Sequence, residues 1–196
     1  MPPVTQALLI ANVAVFLLQN IAGPELIAWC ALWPPGDTGL PPFQLWQLAT
    51  YGFLHGSLTH IAFNMFALYM FGSDIERLFG ARFYLQYYFV CLISAAATHL
   101  AVTAWIGAPP APTVGASGAM FGLLLAFGWY FPQRRIVLLF PPIPMPARVF
   151  VAVYGAVELL LGVTGSQSGV AHFAHLGGML GGWLMIQYRR RGFPFG

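Results

Sequence analysis

Ser117 stands in the string Gly115-Ala116-Ser117-Gly118, at the head of an apolar run. A serine hydroxyl is a weak nucleophile until a base takes its proton. Histidine is the usual base, because its unperturbed pKa lies near neutrality. The chain holds five histidines: His55, His60, His99, His172 and His175. His60 and Asn64 are four apart, so on a helix they share a face, and His172 and His175 are three apart. The set points to acyl transfer by a Ser–His dyad. Such a reaction needs donors for its oxyanion, and the Ser117 backbone N–H, His60 and Asn64 can supply them. A triad would add a carboxylate, and only Glu158 falls inside an apolar run. Glu158 can orient a histidine, pack a helix or serve a gate, and all three roles stay open.

The elements that must position these groups are membrane spans. Of 196 residues, 59% are hydrophobic and 7% charged, too few charges to cover a soluble surface. Six apolar runs of near-spanning length occur, at Val4–Ile21, Ala49–Phe71, Phe83–Ile106, Ser117–Phe131, Ala147–Val163 and Val170–Tyr188. Pro- and Gly-rich strings connect them. The expected fold is an all-α membrane protein, one domain over 1–196, with six transmembrane helices and no linker or internal repeat. The first run has neither a charged n-region nor a small-residue cleavage site, so it is not read as a removable signal.

Arginine sets the orientation. All eight basic residues are Arg, and they fall between spans two and three, between four and five, and after span six. Basic connections stay inside, so both termini are expected in the cytoplasm. "YRRR" then reads as a topology anchor and not as a nucleic-acid contact. The outer connections are 22–48, which carries Trp29, Trp33 and Trp46 against the outer leaflet, then 107–116 and 164–169. Cys30 and Cys91 suggest neither a disulfide nor a metal site.

Span four, Ser117–Phe131, is short: about 22 Å of helix against a core of about 30 Å. If it ends at the inner surface, it starts below the outer one, and Gly107–Ala116 must dip into the bilayer. Irregular backbone survives there only when buried in protein or lining a wet cavity. Ser117 would then sit at a recessed helix N-terminus, where free N–H groups favour developing negative charge. On the same map every histidine lies near the outer end of its span. Depth favours His175 over His172 as the base. "GASGA" is no G-x-S-x-G elbow, since residue 119 is Ala, and neither "HFAH" nor "HGSLTH" carries the Glu of H-E-x-x-H. No metal or cofactor is expected.

With these residues in place the chain resembles the rhomboid intramembrane serine proteases in their minimal six-span bacterial form. "HGSLTHIAFN" is similar to the second-span signature, "GASG" to the G-x-S-G motif and "AHLGGMLGG" to the sixth-span A-H-x-G-G motif. "IERLFG" is similar to the segment after span two. The resemblance implies Ser117 as nucleophile and His175 as base without a third acid, and His60, Asn64 and the Ser117 N–H as oxyanion hole. It implies that Glu76 braces the structure. Substrates would be transmembrane proteins cut near the outer face, entering beside a movable fifth span. The implied place is the inner membrane, among lipids.

Two positions depart from the pattern. Gln47 follows Trp46 where many members have Arg, and Phe121 stands where some have a tyrosine under the histidine. Phe121 can stack but offers no hydroxyl. Gly115, Ser117 and Gly118 are intact. In span six, Gly177 with Gly181 and Gly178 with Gly182 form two G-x-x-x-G pairs. They are expected to pack span six on span four and bring His175 to Ser117, a homodimer face being the alternative. Oligomeric state is not legible. The competing functions are a catalytically silent binder of membrane proteins and a small transporter.

Overall fold

The computed structural model describes residues 1–36, 39–137, 142–164 and 171–192. Asp37, the connection 164–169 beyond Thr164, and the expected start of span six at Val170 lie outside the described residues. Helix α1 runs Pro3–Gln19 and α2 Gly23–Cys30. A short α3, Gln47–Thr50, passes into one 3₁₀ turn, Tyr51–Phe53. Helix α4, Leu58–Ala67, continues through a π-helical turn, Leu68–Gly72, into α5, Ser73–Phe79. Then come α6 (Ala81–Ile106), α7 (Ser117–Tyr130), α8 (Ala147–Thr164) and α9 (His172–Arg190).

Local chemistry explains several boundaries. Pro3 opens α1, where a missing N–H costs nothing. The Glu76 carboxylate of α5 takes the next two amides, Val4 N–H at 2.9 Å and Thr5 N–H at 2.7 Å, and also the Thr5 hydroxyl. Ser57 caps α4, its Oγ accepting from the His60 amide at 3.1 Å. Gly107 closes α6 in the left-handed conformation, φ +65°.

Two expectations need correction. The apolar run Ala49–Phe71 is not one helix. Its first part lies in α3, the 3₁₀ turn and an extended link, and the helix proper starts at Leu58 and reaches Phe79. Hydropathy counts Tyr51, Phe53 and Leu54 as span, whereas the Gly56-Ser57 cap decides where the helix begins. The fold is also not purely α. Arg135–Val137 (β1) and Pro144–Pro146 (β2) pair as a short antiparallel ribbon between α7 and α8.

By length and composition, α6 and α8 are long and apolar enough to cross a bilayer, and α1 and α7 are shorter apolar helices. The surface carries large apolar side chains such as Ile10, Leu17, Phe63, Phe66, Ile93, Trp105, Leu160 and Leu184. The interior holds polar ones: Asn12, Gln47, Asn64, Glu76, Glu158, His172 and His175 are buried. An apolar exterior around a polar interior suits lipid, and the chain is a helical membrane protein.

Helix α9 is the hub, packed on α6, α7 and α8. Its glycines make the contacts, one of them with α7 as expected and three with α6 instead. Gly178 meets the Gly118 backbone of α7, so any Cβ there would overlap it. Gly177, Gly181 and Gly182 instead face α6. A Cβ at Gly177 would lie 2.5 Å from Thr98 Cβ, and one at Gly181 2.6 Å from Ser94 Cβ. Arginines gather at the end of the bundle away from Ser117. Arg77 and Arg134 pair with Asp74 at 3.1 and 2.6 Å. Arg189 lies over Phe79 and Phe83 and donates to the carbonyls of Leu78 and Phe79.

Candidate active site

Ser117 is the first residue of α7, so its amide belongs to the group of helix N–H donors with no partner inside the helix. Its Oγ lies 2.8 Å from His175 Nε2 in the first turn of α9. The approach depends on bare backbone: Gly118 and Gly178 let α7 and α9 touch just below the two side chains. Phe121, one turn below Ser117, stacks on the His175 ring with centroids 4.3 Å apart and planes 7° apart. Stacking holds the imidazole in plane without taking either ring nitrogen.

The segment before Ser117 is pinned from both sides. Leu32 and Thr113 exchange backbone hydrogen bonds at 3.0 and 2.9 Å. The Gly115 amide donates to the Tyr51 carbonyl at 2.9 Å, and the Thr113 hydroxyl meets His99 Nε2 at 2.8 Å. Gly115 and Ala116 are buried, so this irregular backbone is enclosed by protein. Gly115 has φ +126°, outside the range of residues with a side chain. A Cβ there would lie 2.8 Å from His60 Nε2 and 3.8 Å from Ser117 Oγ, so His60 and Ser117 flank this glycine. The Gly56 amide approaches His60 Nδ1 at 3.4 Å, which leaves Nε2 to carry the ring proton toward Gly115. Asn64, one turn along α4, is buried, and its Nδ2 has no partner among the described residues.

Five of the expected site residues thus come together: Ser117, His175, His60, Gly115 and Phe121, with Asn64 on the His60 face of α4. Gly118 and Gly178 lie beneath them. Gly177 serves the α6 contact. Glu76 is at the opposite end of the bundle, where it caps α1. His55 is buried with its ring edge-on to His60, centroids 5.1 Å apart. His99 is tied to Thr113.

Two residues carry more than the sequence disclosed. Gln47 is buried and holds the connection between α2 and α3: its Oε1 accepts from Trp33 N–H at 3.2 Å, and its Nε2 donates to the Pro42 carbonyl at 3.2 Å. A brace therefore exists at this position without an arginine. Glu158 of α8 turns inward, its Oε2 2.8 Å from His175 Nδ1 and 2.7 Å from His172 Nδ1. Its place as the sole acid in a span was legible, but its partners depend on how α8 is rotated against α9. Glu158, His172 and His175 also offer three metal-ligand atoms within 4.8 Å of one another. Both Nδ1 atoms meet one carboxylate oxygen, and His175 Nε2 meets Ser117.

The Rhomboid domain profile matches residues 42–192. The rhomboid protease GlpG of Serratia proteamaculans is 27% identical over 189 residues, covering 96% of this chain and 63% of that protein. The mitochondrial Rhomboid protein 1 of Saccharomyces cerevisiae is 32% identical over 148 residues, 69% of this chain and 39% of that protein. The rhomboid protease GluP of Bacillus subtilis is 28% identical over 140 residues, 71% of this chain and 25% of that protein. The chain spans less than two thirds of the length of each of these relatives.

Proposed function

This chain belongs to the rhomboid family, and we propose that it is an intramembrane serine endopeptidase that cuts transmembrane segments of other membrane proteins. The observation that carries this is the 2.8 Å approach of Ser117 Oγ to His175 Nε2 at the N-terminus of α7. In the first step the Ser117 oxygen bonds to the scissile carbonyl carbon, the carbonyl π pair moves onto its oxygen, and the hydroxyl proton passes to His175 Nε2. The oxyanion is received by the Ser117 N–H, His60 Nε2–H and Asn64 Nδ2–H. Collapse breaks the C–N bond, and Nε2 returns its proton to the leaving amine. Water then repeats the sequence: its proton goes to Nε2, its oxygen bonds to carbon, and the C–Oγ bond breaks as Oγ recovers the proton.

The bundle is read as six crossings, formed by α1, the α4–α5 rod, α6, α7, α8 and α9. The α7 crossing is the short one, 14 residues, with its start recessed. The arginine end faces the cytoplasm of a bacterial-type inner membrane, with both termini inside, and the Ser117 end opens outward. Substrate helices reach it sideways, between α4 and α8, and must unwind locally because helical peptide bonds are shielded.

The test is cleavage of a model transmembrane substrate by the purified chain in detergent, beside Ser117→Ala, with fluorophosphonate labelling in parallel. Wild type cleaves and is labelled, Ser117→Ala does neither, and His60→Ala and Asn64→Ala each lower turnover by up to about 10²-fold. Equal, intact substrate with wild type and Ser117→Ala would leave a silent membrane-protein binder as the better description.

A further inference from the structure

We infer that Glu158 is a positioning residue for the reaction, completing a Ser117–His175–Glu158 relay in which the acid is supplied by α8. This rests on Ser117 and His175 being nucleophile and base, and adds a third group to them. The four atoms lie in a line of short contacts: Ser117 Oγ to His175 Nε2 at 2.8 Å, then His175 Nδ1 to Glu158 Oε2 at 2.8 Å. His172 Nδ1 reaches the same oxygen at 2.7 Å, with the two rings nearly perpendicular. A protonated Oε2 could donate to only one of these nitrogens. A carboxylate accepting from two N–H groups satisfies both.

Two consequences follow for His175. With its proton held on Nδ1, its Nε2 presents a lone pair, the tautomer needed to take the Ser117 proton. Once Nε2 has taken that proton, the imidazolium stands between the carboxylate and the oxyanion, and the buried negative charge stabilises it. Phe121 fixes the ring plane and Glu158 fixes the rotation about it. His172 meets the same oxygen and adds a second donor to a carboxylate buried in an apolar helix.

A clamp between α8 and α9 would explain the same contacts, so the test must separate charge from shape. Wild type, Glu158→Gln and Glu158→Asp of the full chain are compared for kcat and KM on a fluorogenic transmembrane substrate, with thermal unfolding alongside. Gln keeps the size and loses the charge, whereas Asp keeps the charge and is one methylene short. The relay predicts activity in the order Glu, Asp, Gln. The Gln variant should lose about 10²-fold or more in kcat with KM within about threefold and unfolding near wild type. Wild-type kcat in Glu158→Gln, or an Asp variant slower than Gln, overturns it. A readout that needs no variant is the ¹⁵N spectrum of histidine-labelled wild type. The relay requires the His175 proton on Nδ1, and a proton on Nε2 overturns it. If Ser117→Ala is dead while the Glu158 series is flat, only the relay falls. If wild type neither cleaves nor labels, the protease reading falls and takes the relay with it.

Discussion

Helix α9 is held on two sides by different physics. Toward α6 and α7 it presents Gly177, Gly178, Gly181 and Gly182, and its backbone lies against the Gly118 backbone and the side chains of Ser94, Thr98, Tyr87 and Cys91. Toward α8 it presents two imidazoles to one carboxylate, with the end of Met179 over Gly155 and the Phe173 ring closer over Gly162. At Gly178 the first side is backbone on backbone with no adjustable part, so it fixes where His175 is relative to Ser117. The second side is built from rotatable side chains, so it sets how the His175 ring is turned and charged. Distance and protonation are thus assigned to separate contacts of one helix.

The sharpest way to break this contrast is Gly178→Ala. The new methyl would overlap the Gly118 carbonyl, so α7 and α9 must part. A cost of about 3 kcal/mol or more corresponds to a fall of roughly 5–10 °C in thermal midpoint. Turnover should drop by about 10² or more, since a shift near 1 Å in a reacting pair has that effect. A Gly178→Ala protein with wild-type unfolding and cleavage would show that the close contact is dispensable.

His172→Ala tests the second side. It removes one of two donors from the Glu158 oxygen and leaves the His175 contact in place. Stability should fall by about 1–3 kcal/mol, while kcat stays within about tenfold of wild type. Loss of nearly all activity here, with His175→Ala still active, would exchange the roles of the two histidines.

Gly155→Ala is the smallest perturbation. Its Cβ would meet only the flexible end of Met179, at an ordinary 3.4 Å. Relief of glycine's excess freedom within a helix should raise stability by about 0.5–1 kcal/mol, seen as a rise of roughly 2–4 °C. If Gly155→Ala and Gly178→Ala moved the midpoint alike, the two sides of α9 would not differ as described.

The start of α7 at Ser117 and the extents of α6 and α8 were legible, because each is bounded by Gly, Pro or a change in hydropathy. The meeting of Ser117 with the α9 histidines was legible from residue types and depth. What resisted reading depended on rotation and pairing. Which glycine of α9 faces α6 and which faces α7 is a matter of helix phase, and both registers look alike as G-x-x-x-G. Glu158 stood out as an isolated acid, but nothing local says that α8 turns it toward α9. The ribbon of β1 and β2 is three residues on each side, too short for an alternating pattern to stand out. The misplaced second span had a usable signal, since Ser57 three residues before His60 is a helix cap that outweighs the apolar residues ahead of it.

The Glu76 contact with α1 sets an order of events during synthesis. The amides of Val4 and Thr5 are satisfied by a carboxylate 72 and 71 positions further along the chain. At about 5–20 residues per second, the ribosome adds Glu76 roughly 4 to 14 s after the residues it caps. Throughout that interval the first turn of α1 has only water or lipid headgroups as partners. Helix α1 is therefore finished only once α5 has been made, and its seating reports that the α4–α5 rod has already been built.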